Sequence, residues 1–105
     1  MNIDDLRKLI NKEQIVWRNH ILVRMRQRNI KIFDVLNCII SGEVIEEYEN
    51  DYPYPSVLVL GKALNGSYLH VGCALGQEKV WMITVYYPNK DEWINGFRTR
   101  RESNG

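Results

Sequence analysis

Two histidines and a row of arginines are the residues of this chain best suited to chemistry. His20, Arg24 and Arg28 stand at i, i+4 and i+8, so on a helix they stack along one face. Arginine presents forked donors that match a phosphate, and histidine titrates near neutrality. The second histidine, His70, lies in YLHVGCAL, whose alternation reads as a strand with Tyr68, His70 and Gly72 on one face. In the run VWMITVYY, Met82, Thr84 and Tyr86 share a face. If the two strands are neighbours, His70, Thr84 and Tyr86 converge. Paired histidines with arginines nearby are what metal-free RNA cleavage needs. One group takes the ribose 2′-hydroxyl proton, another protonates the leaving oxygen, and cations stabilise the charged phosphorane. A tyrosine can orient the phosphate, stack on a base or carry a proton. Each residue also has a plainer role. The arginine row can be a solvated helix face, His70 a hydrogen-bonded strand residue, and Tyr86 half-buried sheet packing.

These groups must be positioned by helices and strands that the hydrophobic pattern lays out. The stretch WRNHILVRMRQRNI, Trp17 to Ile30, predicts a helix of about four turns. No acid interrupts the chain from Gln14 to Phe33, which carries Arg18, Arg24, Arg26, Arg28 and Lys31. Unpaired cations on one helix repel, so the row costs stability unless an anion docks there. A short helix precedes it, capped by Asn2 or Asp4, with Leu6, Leu9 and Ile10 apolar, ending near Asn11. A third runs from about Ile32 to Ser41, with Phe33, Leu36, Ile39 and Ile40 as its expected buried stripe and Gly42 as a left-handed cap. The period then changes from 3.6 to 2. Strands are expected at 43–48, 56–62, 68–75 and 80–87, with the loop NDYPYP after the first and Asn65-Gly66 as a tight turn. In the last strand Trp81, Ile83, Val85 and Tyr87 form the more apolar set, expected to meet the helices. The fold class is α+β, with two to three N-terminal helices on a four-stranded antiparallel sheet. Residues 89–95 suggest a helical turn, with Trp93 and Phe97 pinning a basic tail or stacking on RNA bases.

At 105 residues the chain makes one domain, 1–105, with a core of about 15–97 and a basic tail from 98 to 105. A net charge of +1 excludes a generic polyanion binder. The charge is segregated, however. Arg18 and Arg26 on the basic helix and Arg98, Arg100 and Arg101 near the end are candidate RNA contacts. From Ile32 to Gly61 every charged residue is acidic: Asp34, Glu43, Glu46, Glu47, Glu49 and Asp51. That segment suits a basic partner protein or internal salt bridges equally. Cys38 and Cys73 have neither metal nor redox spacing and read as small buried hydrophobes. No glycine-rich phosphate loop, nucleophile elbow or zinc spacing appears, so no metal or cofactor is expected. Without a signal peptide or long apolar run, the expected compartment is the cytosol.

The order of short motifs adds a resemblance. His20, Arg24-Met25, Arg28, Ile30, Asp34-Val35 and Gly42-Glu43-Val44-Ile45 come first. Pro55-Ser56, Leu60-Gly61, Leu69-His70-Val71, Ile83-Thr84-Val85-Tyr86, Pro88, Trp93, Arg98, Arg100 and Arg101 follow. Over residues 15 to 101 this series resembles domain-of-unknown-function family 4258. The resemblance implies kinship to RelE-type toxins and the wider barnase–EndoU–colicin–RelE ribonuclease fold. It further implies metal-independent cleavage of mRNA or tRNA, silenced by a cognate antitoxin such as a small zinc-finger protein. Carried over, the catalytic set is His20, Arg24, Arg28, His70, Thr84 and Tyr86. Lys31 departs from the family, which usually has a small capping residue there. The other reading is a non-enzymatic RNA- or protein-binding module of the same fold, in which His20, Asp34 and Arg28 make structural hydrogen bonds.

Overall fold

The computed structural model describes residues 1–102 as an α+β domain, three helices packed on a five-stranded mixed sheet. Helix α1 (Ile3–Asn11) starts where Asn2 Oδ1 accepts the Asp4 N–H at 2.9 Å, and it buries Leu6 and Ile10. Helix α2 (Asn19–Gln27) is shorter than its apolar spacing suggests, nine residues or about two and a half turns. Arg18 precedes it without a side-chain cap, and Asn29 ends the segment at φ 56°. Ile21 and Met25 bury its inner side, which leaves the basic row outside.

Helix α3 (Ile32–Ser41) is held at its start by Asp34. The carboxylate accepts the Lys31 N–H at 2.9 Å through Oδ2 and the Leu64 N–H at 3.0 Å through Oδ1. Asp34 thus supplies the cap that Lys31 cannot. The buried stripe of α3 is Val35, Cys38 and Ile39, whereas Phe33 is 70% exposed and Ile40 51%. The physical reason is a close approach of backbones. A Cβ on Gly61 would stand 2.1 Å from the Cys38 carbonyl oxygen, so the helix rests on its Cys38 side. Gly42 is extended, with φ −99°, and is not a left-handed cap. A side chain there would meet the carbonyl oxygens of Cys38 and Leu60, each at 2.4 Å.

The sheet comprises β1 (Ile15–Val16), β2 (Glu43–Tyr48), β3 (Ser56–Lys62), β4 (Tyr68–Gly76) and β5 (Lys79–Tyr86), in the order β1-β5-β4-β3-β2. Strands β2 to β5 form the expected antiparallel meander. The sheet has five strands, not four, because Ile15 and Val16 pair in parallel with Val80 and Trp81. Of the helical turn expected at 89–95, a single turn forms: the Glu92 and Trp93 N–H groups both donate to the Asn89 carbonyl, at 3.3 and 3.2 Å, before the chain becomes extended at Trp93. Strands β6 (Trp93–Ile94) and β7 (Thr99–Arg100) form a separate hairpin, turned through positive φ at Asn95, Gly96 and Phe97. The tail expected from 98 is therefore structured through Arg100, and residues 103–105 lie outside the described residues. Among the described residues no helix is long and apolar enough to cross a membrane.

A β-bulge decides which side chains of β5 share a face. Thr84 pairs with Gly72 and Met82 with Cys73, so Ile83 has no partner and the alternation inverts there. Met82 joins Val80 and Val85 in the core under the helices. Trp81, opposite Ala74, moves to the outer face beside Thr84 and Tyr86. Strict alternation puts Met82 with Thr84 and Tyr86 and sends Trp81 inward; the bulge reverses both.

Candidate functional site

Helix α2 runs beside the free edge of β5 beyond the short β1 pairing. His20, Arg24 and Arg28 line one cavity of 240 Å³ together with Ile21, Ile83, Thr84 and Val85. None of these lining residues is acidic, so the cavity favours an anion. Arg28 donates from Nη1 to the Val85 carbonyl at 2.6 Å, which caps the strand edge and fixes one end of the row. Arg24 and His20 are exposed. Thr84 offers a hydroxyl from the strand, and its methyl lies against Gly72, where a Cβ would stand 2.7 Å away. Four of the six residues singled out from the sequence thus line one cavity: His20, Arg24, Arg28 and Thr84.

His70 and Tyr86 are joined to each other but stand apart from that cavity. They are cross-strand partners on the outer face, with Tyr86 two residues beyond Thr84. His70 Nε2 lies 2.9 Å from the Phe97 carbonyl, which can only accept, so Nε2 carries the proton. Nδ1 then accepts the Tyr86 hydroxyl at 3.1 Å. The Trp93 ring meets the imidazole edge-on at 4.4 Å between centroids. His70 is fully buried and both ring nitrogens are engaged. Burial holds its pKa below the usual histidine value, with the Phe97 hydrogen bond and Glu46 opposing. Burial likewise raises the Tyr86 phenol. In this arrangement His70 anchors the hairpin to the sheet.

The remaining basic candidates divide. Arg18 holds its guanidinium 5.4 Å from the centre of the Trp81 ring, close to the groove, and Arg26 is exposed on α2. Arg98 pairs with Glu43, and Arg100 binds both carboxylate oxygens of Glu46 at 2.9 and 3.1 Å. Arg101 donates to the Lys90 carbonyl at 2.8 Å. Burial of Glu46 opposes its ionisation, yet hydrogen bonds from Arg100 and Tyr48 keep its carboxyl below the ordinary range. Of the two readings of the acidic segment, internal salt bridging is the one realised for Glu43 and Glu46, and Glu47 pairs with the amino terminus at 3.5 Å. Cys38 and Cys73 are buried free thiols, both pushed up to about 12 by burial. Among the described residues no cluster of three metal-ligating side chains occurs.

Sequence reasoning missed Trp81, Tyr54 and Asp51, which stand beside His20 in an adjoining cavity. Only the bulge at Ile83 brings Trp81 to that face, and nothing in the residue types announces it.

No curated protein and no solved structure shows significant similarity to the chain. The family described as Domain of unknown function (DUF4258) matches residues 17–87, the span from the start of the basic row to the end of β5. The chain belongs to the DUF4258 family.

Proposed function

We propose that this protein is a metal-independent ribonuclease acting on mRNA or tRNA, the toxin of a toxin–antitoxin pair, with the α2–β5 groove as its site. The observation that carries this reading is the meeting of His20, Arg24, Arg28 and Thr84 around one cavity without an acid. His20 takes the proton of the ribose 2′-hydroxyl as it attacks phosphorus. Arg24 and Arg28 neutralise the charge that grows on the phosphorane oxygens, and Thr84 donates a hydrogen bond to one of them. The leaving 5′-oxygen takes its proton from solvent, and a 2′,3′-cyclic phosphate results. His70 serves as the anchor of Tyr86 behind the site. The helices-then-meander order is in keeping with the RelE-like kinship that the motifs suggest. A silencing antitoxin would cover the groove in the cytosol and meet its cations with acidic side chains, because Glu43 and Glu46 are already paired.

A second reading, a non-enzymatic RNA-binding module, is favoured by one observation. His70, Tyr86 and Arg28 all make structural hydrogen bonds, so three of the six expected catalytic groups are engaged within the fold. Expression in a bacterial host decides between the two. Growth arrest with cut RNA for wild type, and neither for a soluble, folded His20→Ala, supports the ribonuclease. Normal growth with intact RNA for soluble wild type removes it.

A further inference from the structure

Beside the anion cavity lies a second one of 320 Å³, with His20 and Ile83 lining both. We infer that this second cavity takes one unpaired nucleobase of the strand whose phosphate sits at Arg24 and Arg28; the inference rests on the RNA reading above. Its volume is at the small end of ligand pockets, as a single base requires. The wall is aromatic. Trp81 is fixed by its indole N–H, which donates to the Gly76 carbonyl at 2.9 Å. Tyr54 lies 5.5 Å from it, tilted by 36°, and packs over Gly76, where any Cβ would stand 2.3 Å from the ring. Tyr52 projects from the adjacent loop and is 96% exposed.

The charges explain why a base fits better than a second phosphate. Arg18 and Asp51 both line this cavity, yet no ion pair joins them among the described residues. Asp51 is held in place by the Ser56 hydroxyl, which donates to Oδ2. A carboxylate repels phosphate and accepts N–H donors, while a guanidinium stacks on a flat ring. A nucleobase offers both a π face and a donor edge, and it is neutral. Aromatic faces beside a cationic track are the common arrangement for single-stranded nucleic acid. The two cavities therefore divide the nucleotide: phosphate where no acid stands, base where Asp51 does. Guanine presents two adjacent N–H donors to a carboxylate and uracil one, so the cavity prefers guanine.

The test is an amide and indole NMR titration of the full chain with guanosine 5′-monophosphate, uridine 5′-monophosphate and ribose 5-phosphate. Both nucleotides should shift the Trp81 indole N–H and the Ala74 amide, guanosine monophosphate saturating several-fold lower. Ribose 5-phosphate should move Arg24 and Thr84 and leave Trp81 still. Tyr52→Ala, a change at an exposed loop, should weaken guanosine monophosphate roughly tenfold, the order of a lost stacking partner. Asp51→Asn should erase the guanine preference. Identical shifts with ribose 5-phosphate and the nucleotides, or unchanged affinity in Tyr52→Ala together with unchanged preference in Asp51→Asn, overturn the inference. RNA cleavage by the same wild-type sample is scored separately. Base shifts without cleavage support the inference and remove the ribonuclease. Cleavage with Trp81 unmoved at saturation does the reverse.

Discussion

Helix α2 and the C-terminal hairpin carry the same residue type in two different settings. On the hairpin, Arg98 and Arg100 close onto Glu43 and Glu46, and Arg100 also lies 4.7 Å above the Trp93 ring. Their charge is spent on holding β6 and β7 against the outer face of the sheet. On α2, among the described residues, no ion pair reaches Arg18, Arg24, Arg26 or Arg28. An arginine opposite a carboxylate has a modest structural value at the surface. A row with no carboxylate opposite it keeps its attraction for an anion from outside. The presence of carboxylate partners, not the count of arginines, separates a clasp from a binding strip.

The sharpest way to break this contrast is to remove one arginine from each set and measure cleavage of a single-stranded RNA. Arg24→Ala should lower the rate on the order of 10²- to 10³-fold, as expected for a lost charge-stabilising donor. Arg98→Ala should stay within about twofold of wild type. Equal losses in both would dissolve the distinction. Next comes salt dependence, read as the slope of log affinity against log salt for RNA. Replacing Arg24 or Arg26 should reduce the slope by about one each, and replacing Arg98 or Arg100 should leave it unchanged. Stability should show the opposite pattern. Arg100→Ala loses a two-pronged ion pair and a ring contact, about 1 kcal/mol after allowing for solvent exposure, whereas Arg24→Ala stays within about 0.5 kcal/mol. Urea denaturation of the two variants checks it.

The smallest effect concerns pH. Burial lowers the pKa of folded His70, so the unfolded chain binds its proton more readily. The stabilisation is present in full above about pH 6.5 and declines as pH falls below that value toward the lowered one. Wild type should therefore lose stability between pH 7.5 and 5.5 in denaturant titrations. His70→Gln should be less stable throughout but flatter over that interval. A wild-type curve with no such decline would mean that the hairpin does not depend on neutral His70.

The parts of this structure visible in the residue order are those written in long, repeated patterns. The row His20, Arg24, Arg28 needs only helical spacing to be aligned, and β2 to β4 need only alternation. The third helix was harder because IFDVLNCII is apolar nearly all round. What turns Val35 and Cys38 inward and Phe33 outward is the bare backbone at Gly61, a distant residue. Strands β1, β6 and β7 are two residues each, too short for any period to register. The pairing of His70 with Tyr86 followed from alternation, but its cover by Trp93 and Phe97 depends on a hairpin with no repeating pattern. Of the site, the phosphate side could be read along one helix, while the aromatic side required the bulge.

That bulge sets a rule about length. Ile83 is 46% exposed, so exchanging its side chain should cost little. Adding to it is another matter. Ile83 is the unpaired residue between Met82, which pairs with Cys73, and Thr84, which pairs with Gly72, so removing it would leave Trp81 and Thr84 two positions apart and still on one face. One further residue between Trp81 and Thr84, without a second bulge to absorb it, would send Trp81 to the side opposite Thr84. Such an insertion splits the two cavities while every lining residue is still present. Extra residues at the Gln77-Glu78 turn, outside the paired run, would leave both faces as they are. Along β5, then, the parity of the spacing between Trp81 and Thr84 holds the two cavities together, a feature that substitution scanning alone would pass over.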